Sequence, residues 1–153
     1  MNTIYIGSDH GGFEHKKLLI EELQASNYQV TDCGAHIVNS TDDYTDFAAA
    51  VARAVREDKG SKGILLCRSG EGMEMAANKV PGIRAALVWR EDVARETRKD
   101  NDANVLVLPS DFIGSEEILT IAKTFLETDF SNEDRHIRRL EKITAIEKAR
   151  YEN

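Results

Sequence analysis

The sequence predicts an α/β fold: a single-domain, Rossmann-like three-layer sandwich with a five-stranded parallel sheet and an extra C-terminal helix. Short runs rich in branched and apolar residues alternate along the chain with longer segments that carry apolar residues at helical spacing. The 153 residues fit one domain, and no linker, internal repeat or low-complexity segment divides residues 1–153. Alternation of this kind is typical of parallel strands joined by right-handed crossovers.

Five segments are predicted as strands and six as helices. The strands are expected at residues 3–7, 28–33, 63–67, 83–88 and 103–108. The helices are expected at residues 13–26, from Asp42 or Asp43 as N-cap to 55, from 73 to 79, at 91–99, at 115–127 and at 133–151. The last helix has a narrow apolar stripe and follows a complete sheet, which indicates that it packs on a second subunit.

Composition and charge exclude several classes of protein. The formal net charge of −7 argues against broad nucleic-acid binding, although a local basic patch can still hold a small anion. No apolar run approaches the roughly 20 residues that cross a bilayer, and the N-terminus lacks the pattern of a signal peptide. The two cysteines form no CxxC pair or zinc pattern and are expected to be reduced thiols. We therefore expect a cytoplasmic protein that binds neither nucleic acid nor membrane.

The segment from residue 63 to 79 is the most informative part of the chain for chemistry. An apolar run leads into Cys67, and a loop with Arg68, a serine and two glycines separates it from a segment of helix-forming composition. This order places backbone N–H groups and a positive helix end beside a thiol. We expect this setting to give Cys67 more thiolate character, so that it removes a proton from carbon while loop groups bind an enediolate oxygen.

Other readings of Cys67 stay open from the residue alone. It could be a small buried hydrophobe at a strand end or a redox thiol. The redox reading is the weaker one, because no resolving cysteine lies near Cys67 in the sequence. The loop is not a Walker loop, since no Gly-Lys-Ser/Thr follows at the required spacing.

Sites in open α/β sheets lie beyond the carboxyl ends of the strands, and this rule brings further polar segments to the edge that holds Cys67. After the first strand, Asp9, His10 and two glycines could contact a hydroxyl or a phosphate, or Asp9 could merely cap the turn. The dinucleotide fingerprint GxGxxG is absent here. The same edge is expected to hold Gly34, residues 67–72, residues 89–90 and residues 109–111.

A basic cluster stands near the C-terminus of this acidic chain. Arg135, His136, Arg138 and Arg139 fall within five residues, and arginines bind phosphate through forked contacts. Arg135 and Arg139 are four residues apart, so they share a helix face and repel each other unless an anion lies between them. The alternative is a solvated helix face.

Together these segments resemble the ribose-5-phosphate isomerase B / galactose-6-phosphate isomerase family. The resemblance covers nearly the whole chain in order and implies a metal-free and cofactor-free aldose–ketose isomerase of sugar phosphates. Such enzymes act in carbohydrate metabolism, including the pentose phosphate pathway, through ring opening and a cis-enediolate. The matching segments are Gly-Ser-Asp-His-Gly-Gly-Phe at 7–13, Cys-Arg-Ser-Gly-Glu-Gly-Met at 67–73, Ala-Ala-Asn-Lys-Val-Pro-Gly-Ile-Arg-Ala-Ala at 76–86, Asn-Asp-Ala-Asn-Val-Leu at 101–106 and Arg-His-Ile-Arg-Arg at 135–139.

The resemblance also implies roles for particular residues. Cys67 takes the position of the base that moves a proton between C1 and C2, and the glutamate that is the base in other members is replaced by Met73. Asp9 and Ser69 stand at further catalytic positions, and Asp100 stands where the family has a ring-opening histidine. The implied substrate-binding residues are His10, Tyr44, Gly70, Glu71, Gly72 and Asn101, with Arg135 and Arg139 as phosphate ligands supplied across a dimer interface.

Three residues depart from the family pattern. Asp100 replaces the histidine and, being normally ionised, is a poorer proton donor. Asp111 replaces a phosphate-binding arginine and repels a phosphate dianion unless it is paired. Arg68 replaces a glycine and is expected to be a substrate-binding residue. It could restore the lost positive charge, pair with Asp100 or Asp111, or contact a substrate carboxylate.

The predicted reaction is the conversion of ribose 5-phosphate to ribulose 5-phosphate by a homodimer or homotetramer, with Cys67 as base. The alternatives are an isomerase of a tetrulose, allose or galactose phosphate, and a catalytically weak homologue that only binds sugar phosphates. A tetrulose phosphate needs no ring opening and would tolerate Asp100.

Overall fold

The computed structural model describes residues 2–151, and side chains within residues 2–149, as strands and helices that alternate as predicted. The strands are β1 (Ile4–Ser8), β2 (Val30–Asp32), β3 (Lys62–Cys67), β4 (Ala85–Leu87) and β5 (Val105–Pro109). A 3₁₀ turn at His10–Gly12 precedes the helices α1 (Phe13–Ala25), α2 (Tyr44–Glu57), α3 (Glu71–Ala77), α4 (Glu91–Asn101), α5 (Ser115–Glu127) and α6 (Asp134–Tyr151).

All five strands are parallel and form one sheet in the order β2-β1-β3-β5-β4. The chain moves outward from β1 to β2 and then returns across β1 to β3. The order therefore reverses between β1 and β3, and a crevice forms outside the carboxyl ends of these two strands. The fold favours a ligand site in this crevice.

The sheet is covered on both faces, which completes the three predicted layers. Ile6, Ile64 and Leu106 face the layer of α1, α4 and α5, whereas Leu65 and Val107 face α2 and α3. The central strand β3 is buried on both faces, so its apolar residues run without polar alternation. This burial holds rigidly the strand that ends at the crevice.

The two outermost strands are shorter than predicted. β2 and β4 each cover three residues, because turn bonds take N–H groups at their starts: Tyr28 donates to the carbonyl of Leu23, and Ile83 to that of Val80. α3 begins at Glu71, two residues before its predicted start. Residue pattern alone does not show where such local turns interrupt strand pairing.

The start of α2 corrects the prediction that Asp42 or Asp43 caps it. Asp43 occupies the N-cap position, but its side chain makes no capping hydrogen bond. Asp42 instead binds His10, which follows β1. The carboxylate of Asp42 therefore belongs to the carboxyl edge of the sheet and not to the helix end.

The apolar stripe of α6 faces solvent in the single chain. Ile137 and Ile143 are exposed, and Ile146 is 66% exposed. The other five helices bury apolar residues against the sheet. Exposed apolar residues at helical spacing are typical of an interaction surface. Within residues 2–151, we find no helix that is both long and apolar enough to cross a membrane.

Candidate active site

Cys67 lies where the central strand meets the crevice. The residue is only 5% exposed, and its Sγ accepts a hydrogen bond from the backbone N–H of Gly70 at 3.1 Å. Gly70 has a left-handed backbone with a φ of 81°, and a Cβ there would lie 2.4 Å from Cδ1 of Leu87. The loop therefore needs glycine for both its conformation and its space, and the turn directs an N–H group to the sulfur.

Burial raises the pKa of the Cys67 thiol above its ordinary value of 9.0. The N–H of Gly70 opposes this shift, and the nearby Asp9 carboxylate adds to it. The expectation that this setting gives Cys67 more thiolate character is therefore wrong for the free protein. The N–H groups at the start of α3 are outweighed by burial, and the exposed Arg68 side chain reaches toward Asp111 instead of the sulfur.

Asp9 follows β1 and caps the 3₁₀ turn. Its Oδ1 accepts hydrogen bonds from the N–H groups of Gly11 at 2.9 Å and Gly12 at 3.2 Å, so the capping role is confirmed. Burial raises the pKa of the Asp9 carboxyl above 3.8, although the two N–H groups oppose the shift. Asp9 also influences the thiol of Cys67, so its role toward substrate stays a prediction beside the cap.

His10 is held by Asp42, which sequence reasoning considered only as a helix cap. Oδ1 of Asp42 lies 2.6 Å from Nδ1 of His10 and also accepts the backbone N–H of His10 at 3.3 Å. The Asp42 side chain is only 9% exposed. One signal was available: two aspartates stand directly before α2, where a single N-cap suffices.

Asp9, His10 and Asp42 form a cluster in which one ligand atom from each lies within 4.8 Å of the others. Two carboxylates and an imidazole are able to hold a divalent cation, and they equally suit the hydroxyl groups of a sugar. Within the described residues, three buried side-chain oxygens have no hydrogen-bond partner: Ser8 Oγ, Asp42 Oδ2 and Ser110 Oγ. Ser8 ends β1 and Ser110 follows β5, so these oxygens too belong to the carboxyl edge.

Tyr44 packs against the loop that follows Cys67. A Cβ on Gly72 would lie 2.5 Å from Cζ of Tyr44, so the tyrosine ring lies directly against the loop. Ser69 is half-buried in this loop, and Glu71 is exposed at the first position of α3. One chain therefore brings a hydroxyl, backbone N–H groups and an aromatic ring to the same loop, and their roles toward a substrate stay predictions.

Arg68 pairs with Asp111, one of the partners considered for it. Its Nη1 lies 3.7 Å from Oδ2 of Asp111, and both side chains are exposed. The backbone N–H of Asp111 also bonds to the carbonyl of Arg68. A Cβ on Gly11 would lie 2.5 Å from Cγ of Arg68, so the stem of the arginine packs on the turn next to His10. The pair brings a cation and a compensating anion to the mouth of the crevice.

Asp100 and Asn101 are not brought to Cys67 within one chain. α4 starts after β4, at the carboxyl edge, and ends just before β5 begins, so these two residues lie at the opposite edge of the sheet. Oδ1 of Asp100 is 3.6 Å from Nε2 of His136 in α6. The end of α4 therefore belongs with α6 and not with the crevice.

Arg135 and Arg139 are likewise remote from the thiol of their own chain. Both are exposed on α6, and Nε of Arg135 donates to Oε2 of Glu133 at 2.8 Å. His136, a member of the same basic cluster, is buried and lies 2.7 Å from Oγ of Ser131 through Nδ1. His136 is thus part of the packing between α6 and the preceding loop, whereas the two arginines face solvent.

Comparisons with known proteins identify the family of this chain. A family model described as Ribose/Galactose Isomerase matches residues 4–143. A protein from Mycoplasma pneumoniae, named probable ribose-5-phosphate isomerase B, is 43% identical over 147 residues, which cover 96% of each chain.

Two solved structures give the same result. Ribose-5-phosphate isomerase B of Clostridium thermocellum has a TM-score of 0.92 at 43% identity and covers 96% of this chain and 98% of its own. The Mycoplasma genitalium enzyme, solved with bound ribulose-5-phosphate, has a TM-score of 0.92 at 42% identity over 95% and 96% of the two chains. This chain therefore belongs to the Ribose/Galactose Isomerase family.

Proposed function

We propose that this chain is an aldose–ketose isomerase that interconverts ribose 5-phosphate and ribulose 5-phosphate. The observation that carries the proposal is the buried Cys67 thiol at the end of β3, with the N–H of Gly70 at 3.1 Å and the carboxylate of Asp9 nearby. Proton transfer between neighbouring carbons needs a base, an oxyanion donor and an acid–base group on one edge. The names of the relatives and the ligand of the Mycoplasma genitalium structure support ribose 5-phosphate as the substrate.

The chemistry starts from the open-chain aldose. The thiolate form of Cys67 takes the proton from C2, and the electron pair forms the C1–C2 double bond while charge moves to O1. The N–H groups of residues 69–72 and the hydroxyl of Ser69 stabilise this cis-enediolate, and O1 gains a proton. The Cys67 thiol then returns its proton to C1 as O2 loses one, which gives the ketose.

The raised pKa of Cys67 sets the protonation state from which this cycle begins. Near neutral pH the free protein holds the residue mostly as a thiol, because burial disfavours the charged form. The thiolate is the minor, active species. We therefore expect the rate to rise with pH as long as the thiol remains protonated.

A second copy of the chain completes the proposed site. In this arrangement the partner supplies Arg135 and Arg139 as phosphate ligands, Asn101 as a sugar contact and Asp100 as the acid–base group for ring opening. The exposed apolar stripe of α6 supports a homodimer or a tetramer built from it, since the arginines lie on the same helix. The two free cysteines, Cys33 and Cys67, support a cytoplasmic location.

Another candidate function is isomerisation of a different sugar phosphate, or binding of sugar phosphates with weak turnover. Asp111 favours it, because an acid at the mouth of the crevice opposes a phosphate dianion and here occupies Arg68. Asp100 favours it as well, because an ionised carboxylate is a poor donor for ring opening.

One NMR experiment in deuterium oxide decides between these functions. Ribose 5-phosphate, allose 6-phosphate, galactose 6-phosphate and erythrulose phosphates are incubated with the protein, and deuterium at C1 and C2 is followed. We expect deuterium incorporation and ketose formation with ribose 5-phosphate. Incorporation with another sugar alone would identify that sugar as the substrate. Binding without exchange for every sugar would support the binding protein and contradict an isomerase.

A further inference from the structure

We propose that Asp42 is a sugar-binding residue: one carboxylate oxygen holds His10 in a single tautomer, and the other accepts a hydrogen bond from a hydroxyl group of the sugar phosphate. The identity of the sugar rests on the proposed function. The contact between Asp42 and His10 does not, because it is present in the protein alone.

The tautomer of His10 follows from two contacts to one oxygen. Oδ1 of Asp42 lies 2.6 Å from Nδ1 and 3.3 Å from the backbone nitrogen of His10. An ionised carboxylate only accepts hydrogen bonds, so Nδ1 carries the proton and donates it. In the neutral ring, Nε2 is then the free acceptor. Asp42 therefore decides which ring nitrogen His10 offers to a ligand.

The second oxygen of Asp42 needs a donor. Oδ2 is buried, and none of the described residues hydrogen-bonds to it, which is unfavourable for a carboxylate oxygen. Asp9 and His10 each place a ligand atom within 4.8 Å of one from Asp42. A group that hydrogen-bonds to the Asp42 carboxylate therefore lies close to Asp9 and His10. A sugar hydroxyl supplies the donor, whereas the phosphate of the same molecule is repelled by the carboxylate.

A divalent cation is the other group that would satisfy Oδ2. The hydroxyl is favoured because the neighbouring atoms are already engaged: Oδ1 of Asp42 with Nδ1 of His10, and Oδ1 of Asp9 with two backbone N–H groups. A cation that takes either of these Oδ1 atoms as a ligand would have to displace their bonds. A hydroxyl adds one bond and displaces none.

The proposed effect of Asp42 on the tautomer of His10 is tested by ¹⁵N NMR of the imidazole nitrogens at a pH where the rings are neutral. His10→Gln identifies the His10 signals among those of the four histidines. We expect the Nδ1–H tautomer in the wild type and in Asp42→Asn, whose amide oxygen still accepts the proton, and a loss of that preference in Asp42→Ala. Asp43→Ala is the matched control, because Asp43 is adjacent and its side chain makes no capping bond. An unchanged tautomer in Asp42→Ala would overturn this effect.

The proposed hydrogen bond from a sugar hydroxyl to Oδ2 of Asp42 is tested by calorimetry in a Cys67→Ala background, which prevents turnover. Affinities are measured for ribose 5-phosphate and its 2-deoxy and 3-deoxy analogues. With Asp42 present, removal of the bound hydroxyl is expected to weaken binding about 10-fold to 100-fold. The penalty is expected to vanish in Asp42→Ala and to shrink in Asp42→Asn, and to persist in Asp43→Ala.

Equal penalties with and without Asp42 would overturn the hydroxyl contact. Affinity that depends on added Mg²⁺ or Mn²⁺ and is lost with chelator would assign Oδ2 to a cation and overturn it too. These results are separate from the fate of the proposed function. A wild-type protein that binds ribose 5-phosphate without isomerising it refutes the isomerase, yet the affinity comparison still decides the role of Asp42.

Discussion

The predicted site residues lie in two regions of the molecule. Within one chain, these regions differ in how far internal hydrogen bonds fix their side chains. The Cys67 edge, formed by Asp9, His10, Asp42 and residues 67–72, is held by internal hydrogen bonds to the thiol, to Asp9 and to His10. The arginine surface, formed by Asp100, Asn101, Arg135 and Arg139, is a set of largely exposed side chains beside an exposed apolar stripe. The Cys67 edge is thus organised before any ligand binds, whereas the arginine surface is proposed to become part of a site only beside a second chain.

The largest loss of activity is expected from a substitution in the Cys67 edge. Cys67→Ala removes the proton carrier but few packing atoms, so isomerisation should fall by about 100-fold to 10,000-fold while the fold persists. Deuterium exchange at C1 and C2 measures the loss, and circular dichroism checks the fold. Cys33→Ala is the control, because Cys33 is the other free cysteine. Full activity in Cys67→Ala would remove the thiol from the mechanism.

The next effect concerns the arginine surface. Arg139→Ala or Arg135→Ala should raise KM about 10-fold to 100-fold with a smaller change in kcat, because a charge-assisted hydrogen bond to phosphate is lost. Steady-state kinetics measures the change. Lys148→Ala is the control, since this exposed lysine lies on the opposite face of α6. Equal effects of the lysine and arginine changes would point to bulk charge instead of a phosphate site.

The pH dependence of activity tests the raised pKa of Cys67. A pKa above 9.0 means that the thiolate fraction grows with pH throughout the range below it. From about pH 7.5, above the ordinary pKa values of histidine and phosphate, kcat/KM should therefore rise by up to about tenfold per pH unit. A plateau reached well below pH 9.0 would show that the thiol ionises more readily than its burial implies.

The smallest effect concerns the pair at the mouth of the crevice. Asp111→Asn should lower KM for ribose 5-phosphate a few-fold, because it releases Arg68 and removes a repelling charge, and Arg68→Ala should raise KM by a similar factor. Arg90→Ala serves as control, because Arg90 follows β4 and pairs with Asp92 in the same exposed manner. If Arg68→Ala leaves KM unchanged, the Arg68–Asp111 pair has no part in phosphate binding.

Much of the fold and part of the site could be predicted from the sequence, and the family assignment is confirmed. Alternating periodicity predicts the parallel sheet, and the sheet places Asp9 and Cys67 on one edge because Asp9 follows β1 and Cys67 ends β3. The sign of the pKa shift of Cys67 could not be predicted, since burial by packed helices competes with a helix end and only the packing decides. The pairing of Asp42 with His10 was equally hidden. It joins residues 32 positions apart through a loop conformation that residue pattern does not encode.

The central claim is that one complete site takes the Cys67 edge from one chain and the arginine surface from a second chain. Subunit mixing tests it directly. Cys67→Ala is mixed in equal amounts with the double variant Arg135→Ala/Arg139→Ala, and formation of mixed dimers is checked by native mass spectrometry. Half of the dimers are then mixed, and each mixed dimer holds one intact site, so the account predicts recovery of about a quarter of wild-type activity. Mixed dimers that form but show no more activity than the two parents would contradict it.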